Sequence, residues 1–300
     1  MSELRKRFIL FSMLVISVIM VLASLLLLMH GHSDDSGAVL HRWLVTAVVF
    51  IGMVFAGSWL ISRRAVAPIE RAWQKQLEFT AAASHELRTP LAALRANLEL
   101  VMDCRDETVA SQMKWLENMD AESRRMTRLI DDLLTLARAD TGRKEFFCEE
   151  FSMHQAAGEV VTALEGAARR QGMRLKLELE ENIFFWGDRN RLKQLMMILL
   201  DNAIRYSGAG CIRLAVLPWG DGVKIIVGDN GCGIEKAQLT RLFERFFRGA
   251  EARSKNPDGS GLGLAIARWI AEGHGGKITV HSTLGEGTEF AVLLPVSRKK

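Results

Sequence analysis

Between Phe8 and Met29 the chain is apolar almost without interruption, with only Ser12, Ser17 and Ser24 as mild exceptions. A helix takes about 20 apolar residues to cross the hydrocarbon core of a bilayer, and this run has that length. A second run extends from Trp43 to Ile61. A cleaved signal peptide is the rival for the first run. Its core is too long for that, and no small-x-small cleavage site follows Leu28-Met29-His30. Two membrane helices are therefore expected, at about 8–29 and 43–61. Arg5, Lys6 and Arg7 precede the first, and Arg63 and Arg64 follow the second. Positive flanks stay in the cytoplasm. The expected location is thus the cell (inner or plasma) membrane, multi-pass, with both termini cytoplasmic and membrane lipid as a contact.

The outside loop, 30–42, is too short to fold alone. Its His30, His32 and His41 beside Asp34 and Asp35 are compatible with a transition-metal site, with a pH-sensitive cluster and with plain solvated polar residues; the spacing matches no known site. The net charge of +4 is small for a dedicated nucleic-acid binder, and the basic residues are interspersed with acids, so no nucleic-acid partner is expected. Cys104, Cys148, Cys211 and Cys232 lie far apart without metal-ligand spacing, and are read as reduced thiols.

From Val66 to about Ala139 the period is helical. Leu87, Leu91, Leu94, Leu98 and Val101 form a seam with alternating steps of four and three, and it continues backward through Ser84, Thr80, Leu77 and Trp73. Trp115, Met119, Glu122, Met126, Leu129, Leu133 and Leu136 repeat the rhythm. Two such helices joined by a polar turn at Asp103 to Glu107 make a helical hairpin. One hairpin exposes too much apolar stripe to stand alone, whereas two close a four-helix bundle, so a homodimer is expected. His85 sits one residue off the seam, on the solvent-reachable flank. Thr89 shares its face one turn on. Pro90 removes the helix hydrogen bond to the Glu86 carbonyl.

After about Leu136 the heptads stop, and ADTGRKE reads as a linker. The remainder is mixed α/β. Helical segments are expected near Met153 to Gln171, Asp188 to Tyr206 and Leu262 to Glu272. Met173 to Glu180 alternates as a half-exposed strand. Cys211 to Pro218 and Val223 to Asp229 flank a tight turn, and Lys277 to Thr283 with Glu289 to Pro295 form a second strand pair. An open sheet with helices on one face follows. Glycines cluster in DNGCGI (Asp229 to Ile234), GSGLGLAI (Gly259 to Ile266) and GEGT (Gly285 to Thr288). Gly259, Gly261 and Gly263 lead into a helix start, where free N–H groups favour phosphate. The run is neither a Walker loop nor a Rossmann fingerprint.

SHELRTPL at Ser84 to Leu91 resembles the phosphoacceptor box of membrane sensor histidine kinases, and LLDNAIRYS at Leu199 to Ser207 resembles their asparagine box. DNGCGI, FERFFR (Phe243 to Arg248), GSGLGLAI and GEGT resemble the other boxes of the ATP-binding domain, in order. The resemblance covers roughly Arg71 to Val296. It implies two transmembrane helices, a dimeric all-α four-helix-bundle hairpin and a C-terminal α/β sandwich of the Bergerat type. The implied division is 1–64 membrane region, 65–140 dimerisation and phosphoacceptor domain, and 146–297 ATP-binding domain. It also implies roles. His85 would accept the phosphoryl group, Glu86 would orient or deprotonate it, and Thr89 would help place water in the reverse, phosphatase reaction. Asn202 would hold Mg²⁺, Asp229 would accept from the adenine amino group, Arg205 would meet a phosphate and Tyr206 the base. Arg245 or Arg248 would reach the γ-phosphate. Gly231, Gly233, Gly259, Gly261, Leu262, Gly263 and Thr288 would complete the ATP site. Residues 249–258 would be a lid over ATP.

The implied activity is a protein-histidine kinase that uses ATP and Mg²⁺, phosphorylates His85, passes the group to an aspartate of a response regulator, and dephosphorylates it. A phosphatase-dominant or catalytically weak scaffold of the same fold is the alternative, and an ATPase doing conformational work is a further rival. Two departures stand out. Ile198 occupies a position where many relatives carry a second asparagine, with Asp201 a conceivable substitute. Only Arg63 to Ser84 lies between membrane and phosphoacceptor, a span on the order of 30 Å as helix, with Pro68 expected as a bend.

Overall fold

The structure, a computed structural model, describes residues 17, 18, 21, 36–61, 67–104, 106–140, 146–179, 183–208, 210–249 and 259–295. All of the first expected membrane run but residues 17, 18 and 21, the loop residues His30 to Asp35, the ADTGRKE segment from Thr141 on and the expected lid from Ala250 to Asp258 lie outside those residues. Two compact units are distinguished, Met1–Ala81 and Ala82–Lys300.

In the first unit, α1 (Ser36–Ile61) begins at Ser36 and not at Trp43, so the helix takes in the second half of the expected loop. Leu44, Val48, Ile51, Met53 and Phe55 are all exposed on it. Among the described residues no helix is long and apolar enough to cross a membrane.

Helix α2 (Ala67–Asp103) starts where a bend was expected: Pro68 falls in its first turn, where a missing N–H costs no intrahelical bond. Pro90 lies inside it, and the helix continues on both sides. Helix α3 (Val109–Asp140) returns antiparallel, with Asn118 donating to Asn97 at 3.5 Å across the pair. The turn between them falls where expected. Glu107 N–H donates to the Cys104 carbonyl at 3.1 Å, and Thr108 caps α3 by accepting from Ser111 N–H at 3.3 Å. Gln112 is buried at the start of α3, and its amide donates to the carbonyls of Cys104 at 2.5 Å and Val101 at 3.4 Å. Those carbonyls end α2 and have no later helical N–H to accept from.

The rest of the second unit is a layered α/β structure. Strand β1 (Glu149–Ser152) precedes α4 (Met153–Arg170), β2 (Arg174–Leu179), β3 (Phe184–Gly187), α5 (Arg189–Tyr206), β4 (Cys211–Trp219), β5 (Gly222–Asp229), the short α6 (Lys236–Leu239), α7 (Gly263–Gly273), β6 (Lys277–Thr283) and β7 (Gly287–Leu294). The main sheet has the order β2-β4-β5-β7-β6, with β2 and β4 parallel and the other pairs antiparallel. A separate antiparallel pair, β1-β3, was not read from the sequence. Helix α5 buries Leu192, Leu195, Met196, Leu199, Leu200, Ala203 and Ile204, a three-and-four spacing that lays one stripe on the sheet. Leu214, Val216, Ile225, Val227 and Val292 meet it from the strands. The same core takes in Leu129 and Leu136 of α3, and α3 packs on α7. All four cysteines are free, as expected.

Candidate functional site

The motifs, far apart in sequence, come together in pairs, DNGCGI with GEGT at the ends of β5 and β7, and FERFFR with GSGLGLAI. Strands β5 and β7 set Asp229 opposite Thr288 in register. Gly231 follows the strand end so closely that a Cβ there would strike Tyr206 O and the Ser207 backbone, which joins DNGCGI to the end of the asparagine box. Cys232 Sγ reaches the Tyr206 carbonyl at 3.6 Å. Cys232 in turn accepts from Gly285 N–H at 2.8 Å, which fixes the GEGT turn beside it. Ser282, not singled out from the sequence, ties this wall together. Its hydroxyl donates to the Gly287 carbonyl at 2.8 Å, accepts from Ile234 N–H at 2.8 Å and lies 2.9 Å from the Thr288 hydroxyl.

Asp229 is the carboxylate of this wall. One oxygen accepts from Gly231 N–H at 2.8 Å. Burial raises its pKa above the ordinary carboxylate range, while the Gly231 N–H pulls the other way. The Ser207 hydroxyl and the Thr288 backbone also favour its charged form. A buried carboxylate suits a ligand edge that donates, as an adenine amino group does.

A second pairing joins FERFFR to GSGLGLAI. Phe246 N–H donates to the Gly261 carbonyl at 3.0 Å. Phe246 has a φ of 60°, the one positive φ outside glycine among the described residues. Gly261 has a φ of 70°, and a Cβ on it would press on the Phe246 backbone. Leu262 is fully buried and anchors the start of α7, and its N–H reaches the Ser260 hydroxyl at 3.3 Å. Gly259 and Gly263 flank that start. A Cβ on Gly263 would meet the Ile198 side chain, so Ile198 packs under the glycine loop where the family's second asparagine was noted as missing.

Some expected roles meet other partners. Arg205 pairs with Asp201 at 2.7 Å along α5. Only one Asp201 oxygen takes part in that pair. Asn202 is half-buried one position on. Arg245 forms a two-pronged ion pair with Asp140 at the end of α3, at 2.7 and 2.6 Å. Arg248, Gly233 and Tyr206 are half-buried near the same wall. A Cβ on Gly233 would collide with the Thr283 carbonyl. On the hairpin, His85 and Thr89 are exposed, Glu86 is half-buried and Pro90 buried, so the histidine does stand on the solvent flank. Among the described residues no hydrogen bond or ion pair joins His85 to the nucleotide wall.

A second network was missed from the sequence. Asp188 caps α5 through Arg191 N–H at 3.0 Å, and its other oxygen accepts from Phe147 N–H at 3.0 Å. Asp188 N–H donates to His274 Nε2 at 3.0 Å, while His274 Nδ1 lies 2.8 Å from the Ile270 carbonyl. The ring is thus held as the Nδ1–H neutral form, and burial lowers its pKa. Phe146 packs against Trp269 and His274 with ring centroids 5.2 and 4.8 Å away. The capping signal DRNR at Asp188 was visible in the sequence; the histidine 86 residues away was not.

A model of the family described as "His Kinase A (phospho-acceptor) domain" matches residues 75–142. One described as "Histidine kinase-, DNA gyrase B-, and HSP90-like ATPase" matches residues 187–298. Together they take in more than half of the chain. The chain is 34% identical over 254 residues to "Sensor histidine kinase RppB" of Synechocystis, covering 83% of this chain and 55% of that protein. It is 37% identical to "Signal transduction histidine-protein kinase BaeS" of Escherichia coli, covering 77% and 49%. It thus spans about half the length of the curated relatives it matches. Among solved structures, the Acinetobacter baumannii histidine kinase AdeS superposes with a TM-score of 0.59 at 25% identity, over 71% of this chain and 98% of that one. The fold is also that of histidine kinase ThkA solved with response regulator TrrA (TM-score 0.58, 22% identity, 80% and 66% covered).

Proposed function

We propose that this chain, which belongs to the sensor histidine kinases of two-component systems, moves the γ-phosphoryl group of ATP to His85 and from there to an aspartate of a response regulator. The observation that carries the reading is the pairing of DNGCGI with GEGT around Asp229 and of FERFFR with GSGLGLAI, both pairs set against α5 through Gly231 at Tyr206 and Gly263 at Ile198, on a chain that also presents an exposed histidine with a hydroxyl one turn on.

Asp229 and Tyr206 would hold the base, and Gly231 leaves the ring room that a side chain would fill. The glycines before α7 would present N–H groups to the phosphates. The donor set fits Mg²⁺ with one protein oxygen, Asn202; the ion keeps most of its waters in such sites and, when bound, neutralises phosphate charge. In the transfer a ring nitrogen of His85 bonds to the γ-phosphorus, the bond to the bridging oxygen breaks, and ADP leaves. Glu86 takes the other ring proton, which keeps the attacking nitrogen free. Such transfers rest on positioning and charge more than on covalent help. Thr89 would then place a water for removal of the phosphoryl group from the regulator, so the same face serves kinase and phosphatase.

Two copies of the hairpin would pair, since Leu91, Leu98, Ile130 and Leu134 stay exposed in one copy. The response regulator would dock beside His85. The run 8–29 and α1 would anchor the chain in the membrane, supported by the lengths of the apolar runs and the exposed side chains of α1. The engagement of Arg205 and Arg245 by acids favours a restrained kinase over a decayed scaffold, because both arginines are kept and held.

The test uses the full chain in membranes with γ-labelled ATP and Mg²⁺, beside His85→Gln. Acid-labile, alkali-stable label on the wild type and none on the variant is expected. Equal label on both would overturn the assignment of His85.

A further inference from the structure

We infer that Asp140 restrains ATP binding: it holds Arg245 on the end of α3 and so lowers the affinity for ATP until a γ-phosphate displaces it. The inference rests on the proposed kinase reading and takes Arg245, of the pair Arg245 and Arg248, as the arginine that meets the γ-phosphate.

The two residues are 105 apart in sequence and come from different domains of the fold. Arg245 Nη1 and Nη2 each donate to one oxygen of Asp140, at 2.7 and 2.6 Å, the parallel two-bond geometry that suits a carboxylate or a phosphate equally. A guanidinium fork committed to Asp140 is unavailable in that same geometry to a γ-phosphate. Occupation of one excludes the other.

The pair is wired to the glycine loop by one residue. Phe246, next after Arg245, donates its N–H to the Gly261 carbonyl and sits at a φ of 60°. A bulky side chain at positive φ is strained and persists where neighbours over-determine it. The fixed points on either side are Asp140 and Gly261. Helix α3 therefore reaches the phosphate loop through a short, stiff path: Asp140, Arg245, Phe246, Gly261, then α7. Leu136, one turn before Asp140, is buried in the core shared with α7, so the end of α3 is seated rather than loose.

The strength of the hold is bounded. The side chains are 31% and 47% exposed, so water screens the pair. A hold of that kind shifts an equilibrium about two- to fivefold, enough to tune ATP occupancy and small enough for a phosphate to overcome.

The test measures equilibrium binding of AMP-PNP and of ADP, with Mg²⁺, to the full chain in nanodiscs. Asp140→Asn is expected to tighten AMP-PNP about two- to fivefold and leave ADP unchanged, because ADP has no γ-phosphate. Asp140→Glu, which keeps the charge, is expected to stay near the wild type. In an Arg245→Gln background Asp140→Asn is expected to have no effect. Unchanged or weaker AMP-PNP binding in Asp140→Asn, or equal tightening of ADP, overturns the proposal. Arg245→Gln alone reports on the underlying reading. Loss of AMP-PNP over ADP preference supports the γ-phosphate role, and an unchanged preference overturns that role and the proposal with it. Labelling of His85 stands apart from both readouts.

Discussion

Two aspartates show how position decides what a carboxyl does. Asp229 is buried at the end of β5 and pinned by Gly231 N–H. Asp229→Asn keeps the shape and removes the charge. A hydrogen bond to a charged group contributes about 1.5–3 kcal/mol, so ATP should bind roughly ten- to a hundredfold more weakly in a direct titration. Asp132 on α3 has no such duty. Burial first, and then neighbouring Asp131, push its pKa up to about 6 against the pull of Arg128. The folded state thus holds this proton more tightly than the unfolded chain. Asp132 favours folding fully below the ordinary carboxylate value, and that contribution is lost as pH rises to about 6. Asp132→Asn should therefore melt like the wild type near pH 4 and higher than it at pH 8. After discounting for partial exposure the gap should be on the order of 1 kcal/mol. Asp229 was legible in the sequence because it opens a glycine motif. Asp132 was not, since burial on a helix flank depends on what packs there.

At the level of elements, the hairpin turn and the strand pairs were readable for different reasons. The α2–α3 turn fell at Asp103 to Glu107 as expected, because the heptads stop on both sides of a polar stretch. The partner that closes it, Gln112, looks like any surface glutamine. Gln112→Ala removes the side-chain donor to the Val101 carbonyl and one of the two donors to the Cys104 carbonyl under the turn. It should cost about 1–3 kcal/mol, read as a lower midpoint in urea unfolding. The strands around the Gly220-Asp221-Gly222 turn were legible from the turn that the two runs flank. The β1-β3 pair was not: each strand has only four residues, too few for a period to declare itself. Ile198 read as a defect in the asparagine box and proves to be packing beneath Gly263. Residue type alone does not distinguish a lost ligand from a gained contact.

For the molecule as a whole, the seam residues divide into two sets. Leu129 and Leu136 are buried within one chain, whereas Leu91 and Leu98 are 57% and 44% exposed. The exposed set is the face left for a second copy. Leu91→Lys with Leu98→Lys should therefore abolish chemical crosslinking of two full chains in membranes, while Arg95→Lys on the exposed flank leaves it intact. The sequence announced the stripe but not its division, because the split depends on where α7 rests against α3. The ion pair between Asp140 and Arg245 was hidden for the same reason: each lay in a recognisable segment, and nothing in either points to the other.

The socket around Phe146 bears on how such proteins can be cut and rejoined. Gly273 leaves a space that its own Cβ would close against the Phe146 ring, and Asp188 accepts from Phe147 N–H. Both phenylalanines precede β1, yet their partners lie in α5 and α7. They are therefore the first residues of the C-terminal module in a physical sense. A hybrid receptor spliced between Asp140 and Phe146 carries the plug together with its socket. A splice placed after Phe147 transplants a module with an empty aromatic slot and an acidic cap that has lost one of its donors.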